Sequence, residues 1–203
     1  MRFREVTLAG PAGLTSFYAE TLGFPRDADS IVFGETRLRF RAGNDGAFYH
    51  FALLVPGDRF DAALAWARER VELLGAVFES DAWDSRALYF HDPAGNIVEL
   101  IAHRGREENG RSGLFAADEL VGFSELGIVG DRRELLGQLE PVGVQLWDGE
   151  LDEPDRLAFV GEQARTLILS PPGRGWMPTG RPAEPYPVEA VLDLDGRPVA
   201  LAF

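Results

Sequence analysis

The chain has 203 residues, 45% of them hydrophobic, which suits one large or two small compact domains and excludes a disordered or fibrous protein. Its 33 acidic and 20 basic residues give a net charge of -13, which repels nucleic acid and anionic lipid. Cysteine is absent and every basic residue is arginine, so disulfides, thiolate nucleophiles and lysine Schiff-base chemistry are excluded.

Membrane and export signals are also missing from the sequence. No apolar run approaches the roughly 20 residues that a membrane-spanning helix needs. The first residues, MRFREV, lack the apolar core of a signal peptide. We therefore expect a cytoplasmic protein without a nucleic-acid or membrane partner.

The first 104 residues repeat one plan twice, in which a strand is followed by a helix and then by two or three strands. In the first unit, hydrophobic periodicity predicts strands at 3–9, 30–33 and 36–41 and a helix whose apolar face runs from Leu14 to Leu22. In the second unit it predicts strands at 48–55, 76–79, 86–90 and 96–102 and a helix, opened by Asp58, with an apolar stripe from Phe60 to Val71.

A polar, glycine-containing segment at 105–118 is predicted to be a linker. Beyond it the plan returns, because Val129-Gly130-Asp131-Arg132 echoes Val55-Pro56-Gly57-Asp58-Arg59. Further strands are predicted at 144–147, 157–160 and 166–169, and a final hairpin at 188–203. This organisation predicts one domain at 1–104 and a second, shortened domain at 119–203.

Two motifs accompany the repeats. The first comprises Phe17-Tyr18 and Leu22-Gly23-Phe24, and the second is Phe90-x-Asp92-Pro93-x-Gly95-Asn96-x-x-Glu99-Leu100. With these motifs the chain resembles the vicinal oxygen chelate superfamily, which includes glyoxalases, bleomycin-resistance proteins and extradiol dioxygenases. The resemblance implies an α+β fold, in which paired βαβββ units form an open barrel, followed here by a truncated second pair.

The resemblance also implies a divalent metal on the concave face of the barrel. The metal-ligand positions of that family fall on His50, Glu99 and Glu5, and a fourth position falls on Arg39. Glu99 is then the expected catalytic residue. An ionised carboxylate within the apolar run of a strand independently calls for a cation, a hydrogen-bond network or solvent.

Strand alternation supports one part of this site, because side chains two residues apart share a face. Phe48, His50 and Ala52 share one face of their strand, and the opposite face is bulky. His50 is therefore predicted to point into the concave side. By the same rule, Arg37 and Arg39 share a face.

Two interpretations remain open at this point. In the first, His50, Glu99 and Glu5 hold Mn, Fe, Ni or Zn, and Arg39, Arg37 and Trp176 bind the substrate of a lyase, an isomerase or a ring-cleaving dioxygenase.

In the second, Arg39 neutralises Glu5 and Glu99 without a metal, and the protein is a non-catalytic binding protein for a small anionic ligand. An arginine at a ligand position would repel a divalent ion by several kcal/mol, even at an effective dielectric of about 20. A homodimer is compatible with either.

The remaining candidates are expected to lie outside the site. Glu125 and Glu189 are predicted to face solvent or an arginine. His103 lies about 13 Å along the strand from Glu99, too far to share a metal with it.

Trp176 lies in a proline- and glycine-rich stretch, 171–187, that is predicted to be a long covering loop.

Overall fold

The computed structural model describes residues 1–11, 13–43 and 46–203. Within these residues, no helix combines the length and the apolar character needed to cross a membrane. Strands account for most of the regular structure, and three short α-helices accompany them. The fold is therefore of the predicted α+β class.

The described residues of the first half form eight strands and two α-helices. In chain order they are β1 (Arg2–Ala9), α1 (Leu14–Ser16), β2 (Arg26–Asp27), β3 (Ser30–Phe33), β4 (Thr36–Arg41), β5 (His50–Val55), α2 (Phe60–Arg68), β6 (Phe78–Ser80), β7 (Ser85–His91) and β8 (Ile97–His103). A π-helical turn at Phe17–Thr21 continues α1. The predicted strands at 30–33 and 36–41 are confirmed to the residue.

The second half repeats the plan and ends in a hairpin. Its elements are β9 (Gly122–Val129), α3 (Arg132–Leu139), β10 (Leu146–Gly149), β11 (Ala158–Glu162), β12 (Arg165–Ser170), β13 (Gly175–Trp176), β14 (Arg181–Pro182), β15 (Val188–Leu194) and β16 (Arg197–Ala202). Turns of 3₁₀-helix lie at Ala117–Glu119 and Glu140–Val142. Asp131 caps α3 by accepting hydrogen bonds from the backbone N–H groups of Arg133 and Glu134.

The strands form two large sheets and one small one. One large sheet has eight strands in the order β10-β11-β12-β9-β5-β8-β7-β6, and the other has six in the order β16-β15-β1-β4-β3-β2. Strands β13 and β14 pair with each other as a small hairpin. Each large sheet contains strands from both sides of the 105–118 segment.

This pairing differs from the unit pairing that the sequence suggested. The second unit joins the third through the antiparallel pair β5 and β9, and the first joins the final hairpin through the antiparallel pair β1 and β15. The two halves of the chain are therefore interleaved in both sheets. The proposed boundaries at 104 and 119 describe sequence units, and among the described residues each sheet includes strands from beyond residue 104.

The eight-stranded sheet curls until its two ends meet. Trp83, in the turn between β6 and β7, packs 5.0 Å from Trp147 of β10 and 4.6 Å from Phe159 of β11, measured between ring centroids. Its indole Nε1 donates a hydrogen bond of 2.7 Å to the carboxylate of Asp148. These contacts bring strands near opposite ends of the sheet together around a concave face.

The two faces of β5 enter different apolar clusters, as the alternation predicts. Phe51 and Val55 belong to the main core, which both large sheets and the helices share. Ala52, and Phe48 just before the strand, belong to a smaller cluster on the concave side, together with Trp176. The concave face is therefore lined by side chains and does not form an empty channel.

The linker is fastened to the start of α2. Arg59 donates hydrogen bonds to the carboxylate of Glu119 and to the backbone carbonyls of Arg111, Gly113 and Leu114. Asp58, predicted to open the helix, instead accepts backbone hydrogen bonds from Asn109 and Gly110. These contacts guide the chain from β8 into β9, which lies beside β5.

Candidate metal site

Three ligand-type side chains meet on the concave face of the eight-stranded sheet. Ala52 of β5 is the register partner of Glu99 on β8 and of Glu125 on β9, so the two carboxylates flank it. His50 lies two residues earlier on the same face. One ligand atom from each of His50, Glu99 and Glu125 lies within 4.8 Å of the others.

His50 presents a free ring nitrogen to this cluster. Its Nδ1 lies 3.3 Å from the carbonyl oxygen of Ile97, which accepts the Nδ1 proton, and its Nε2 lies 3.5 Å from Glu99 Oε2. Burial lowers the pKa of His50 to about 4, partly countered by the contact with Ile97. The ring is therefore neutral near pH 7, with the Nε2 lone pair directed at the carboxylates.

In the described part of the chain, neither carboxylate has an arginine within ion-pair distance. Burial, and then the charge of Glu125, raise the pKa of Glu99 well above its usual value, and burial raises the pKa of Glu125 to about 7. Two buried carboxylates and a neutral imidazole form a donor set that fits a divalent metal.

The Asp-Pro-x-Gly-Asn turn holds β5 and β8 in register. Asp92 accepts hydrogen bonds from the backbone of Ala94, from the backbone and side chain of Asn96 and from the hydroxyl of Tyr18. Asn96 Oδ1 accepts a hydrogen bond of 2.8 Å from the backbone N–H of Tyr49, next to His50. The motif therefore fixes the position of His50 relative to Glu99.

Two aromatic residues surround the cluster. Tyr89 is the register partner of Glu99 on β7, and burial, followed by the charges of Glu99 and Glu125, raises the pKa of its hydroxyl well above the usual value. Trp176 lies with its ring centroid 5.0 Å from that of His50 and is 3% exposed. Trp176, a predicted substrate-binding residue, therefore lies directly at the cluster.

Glu5, Arg39 and Arg37 lie elsewhere, on the six-stranded sheet. Arg39 Nη1 lies 3.0 Å from Glu5 Oε2, and Arg39 Nε lies 3.3 Å from Asp29. Arg37 pairs with Asp27 at 2.9 Å. The structure thus separates Glu5 from His50 and Glu99, because β1 pairs with β4 and β15 while β5 pairs with β8 and β9.

Glu125 takes the place that the sequence suggested for Glu5. The expectation that it faces solvent or an arginine is wrong, because its side chain is buried in the cluster. The repeat contained the signal for this residue. Glu125 lies on the first strand of the third unit, as His50 does in the second, but only the pairing of β5 with β9 brings the two residues together.

Comparisons with known proteins agree with this architecture. The catechol-2,3-dioxygenase of Bacillus subtilis is 31% identical over 120 residues, which cover 51% of this chain and 41% of that protein. The glyoxalase I structure from Zea mays superposes with a TM-score of 0.55 at 16% identity, over 84% of this chain and 66% of that one. The chain has the vicinal oxygen chelate fold.

No family model matches the chain. The chain spans less than two thirds of the length of either relative. One fold of this kind serves many activities, and the residues of the site determine which of them a protein has.

Proposed function

We propose that this protein is a metal-dependent enzyme that acts on a small molecule at the concave face of the eight-stranded sheet. The observation that carries the proposal is the buried cluster of His50, Glu99 and Glu125, whose carboxylates have no protein cation among the described residues. Ionised carboxylates in such a place cost several kcal/mol each without a partner, by an order-of-magnitude reckoning. A divalent ion would remove that cost.

The donor atoms narrow the class of metal. One imidazole nitrogen and two carboxylate oxygens suit Mn, Fe, Ni or Zn better than a soft ion such as Cu(I). When bound, such an ion would polarise a substrate that chelates it through two neighbouring oxygens.

The protein residues around the cluster would orient the ligands and hold a proton. The Nδ1 contact with Ile97 keeps His50 Nε2 available, and Tyr89 lies beside Glu99 as its register partner on β7. Because burial raises the pKa of Glu125 to about 7, the metal-free carboxylate pair can exchange a proton near neutral pH, and a bound divalent ion would displace that proton.

The reaction types consistent with this site are those of a lyase, an isomerase or a ring-cleaving dioxygenase. The Bacillus relative, a catechol-2,3-dioxygenase, supports the dioxygenase type, whereas the maize glyoxalase I structure shares the fold and does not select among the three types. No observation favours the metal-free binding protein, because Arg39 is paired with Glu5 and Asp29 rather than with Glu99.

Metal analysis of protein purified without chelator tests the proposal. Wild type should retain about one divalent ion per chain, and His50→Ala should lose most of it, because a protein ligand is removed. His91→Ala, at an exposed position outside the cluster, is the matched control and should retain the ion. Substoichiometric metal that His50→Ala leaves unchanged would contradict the proposal.

A further inference from the structure

The cluster is closed to solvent as the structure stands. His50 is 6% exposed, Glu99 3% and Glu125 4%. A substrate that chelates a metal at these residues needs a path to it, so some covering segment must move.

The hairpin formed by β13 and β14 covers the cluster. Its Trp176 packs against His50, and its indole fills a space that Gly127 leaves open on β9. A Cβ atom at Gly127 would lie 2.8 Å from Trp176 Cη2 and 3.1 Å from Cζ2. Gly127 lies two residues after Glu125, so the absence of a side chain there makes room for the indole beside the ligand set.

The hairpin has fewer backbone pairings than the strands beneath it. β5 pairs along six residues with β8 and also with β9, whereas in the described part of the chain β13 and β14 pair only with each other, along two residues. Two arginines anchor the hairpin. Arg181 donates a hydrogen bond of 3.2 Å to the carbonyl of Gly95, and Arg174 donates one of 3.1 Å to the carbonyl of Asp155. Elements with few backbone contacts open first.

We propose that residues 173–183 form a gate and that Trp176 is its stopper, so that opening the hairpin exposes a slot between His50 and Gly127. The proposal rests on the proposed metal-dependent function. The vacated slot has the shape of an indole, so it admits a flat group of the incoming ligand. Trp176 and Gly127 are then the specificity-determining residues of the site.

The rate of Co²⁺ uptake by metal-free protein tests the gate. Trp176→Ala removes the stopper, and Gly127→Ala pushes the indole out, so both should take up Co²⁺ about tenfold faster than wild type, the range expected from the loss of an aromatic contact. The final stoichiometry should not change. Met177→Ala, at an exposed neighbour in the same hairpin, is the matched control and should behave as wild type. Uptake within twofold of wild type in both gate variants would overturn the proposal.

A second measurement separates failure of the gate from failure of the metal site. Diethyl pyrocarbonate modifies accessible histidines, and exposed His91 gives an internal reference within each sample. His50 should react more slowly than His91 in wild type and should approach the rate of His91 in Trp176→Ala and Gly127→Ala. If no variant binds Co²⁺, the metal proposal fails and this measurement alone decides the gate. Slow His50 modification in both variants would refute it.

The shape of the slot is tested by chemical rescue. Free indole added to Trp176→Ala should restore slow Co²⁺ uptake, or slow modification of His50, because it refills the vacated space. The branched alcohol tert-butanol should not. Rescue by both compounds, or by neither, would overturn the assignment of a flat slot.

Discussion

The two large sheets of this protein present two faces built on the same plan but with different chemistry. On the eight-stranded sheet, His50, Glu99 and Glu125 are buried without an arginine partner among the described residues. On the outer face of the six-stranded sheet, Glu5 pairs with Arg39, and Glu189 pairs with Arg41 at 2.9 Å between Nη2 and Oε2.

Exposure separates these faces as clearly as charge does. The side chains of Glu5 and Arg39 are 38% and 40% exposed, and a cavity of about 500 Å³ beside them is open to solvent. On the exposed face, the carboxylate of Glu5 is paired with an arginine in contact with water. On the buried face, the carboxylates of Glu99 and Glu125 lie next to each other in a closed interior. The position of a carboxylate within the repeat therefore does not determine its function. Its ion-pair partner and its exposure to solvent determine it.

The largest contrast should come from neutralising one carboxylate on each face. Glu125→Gln should weaken divalent-metal binding by more than about 100-fold, since losing even an outer-shell partner costs about 10- to 100-fold. Glu5→Gln is the matched control and should bind metal within about twofold of wild type. Titration calorimetry of the metal-free proteins measures both. Equal losses in the two variants would erase the distinction between the faces.

The affinity for a divalent metal should depend on pH through the buried carboxylates. Burial raises the pKa of Glu125 to about 7, so protons compete with metal below that pH, and affinity should fall by up to about tenfold per pH unit for each proton displaced. Glu125→Gln should show a shallower dependence. An affinity independent of pH between 5 and 7.5 would contradict the expectation.

The raised pKa of Glu125 also makes the stability of the metal-free protein depend on pH, but in the opposite direction to metal affinity. The unfolded chain releases the Glu125 proton near its ordinary pKa of 4.5 and the folded chain only near 7, so the free energy of unfolding should fall as pH rises between these values. Burial lowers the pKa of His50 from 6.5 to about 4. His50 therefore contributes an increase in the free energy of unfolding as pH rises between these two values. Subtracting the Glu125→Gln profile from that of wild type isolates the carboxylate.

The smallest effect is expected on the exposed face. Arg39→Gln removes ion pairs with Glu5 and Asp29 that are screened by water, so it should lower the free energy of unfolding by less than about 1 kcal/mol. Metal affinity should not change. Urea denaturation measures the first quantity. A larger loss, or weaker metal binding, would show that Arg39 supports the buried site.

Local pattern was enough to predict much of the fold. The strands at 30–33 and 36–41 and the final hairpin follow from periodicity and turn chemistry, which depend on neighbouring residues. The helix α2 ends at Arg68, before the predicted Val71, and the buried Trp66 extends its apolar face toward Phe24 and Phe115. Those contacts come from distant segments, which the helical period alone does not reveal.

Two of the three donors of the candidate site were accessible in the same way. His50 and Glu99 lie on strands whose alternation and motif are visible in the sequence. Glu125 was missed because its place depends on which units pair, and the pairing of β5 with β9 joins residues far apart in the chain. Glu5 is an equally good candidate by sequence pattern. The sheet order, set by long-range packing, decides between the two.

The antiparallel pairing of β5 with β9 also has a consequence for how the protein is made. A chain leaving the ribosome exposes His50 and Glu99 before Glu125 has been synthesised, and the hairpin that carries Trp176 follows later still. A growing chain that has not yet reached residue 125 therefore offers only two of the three donors. Under the proposed function, tight metal capture is deferred until most of the chain exists, and the hairpin then closes over a site that is already complete.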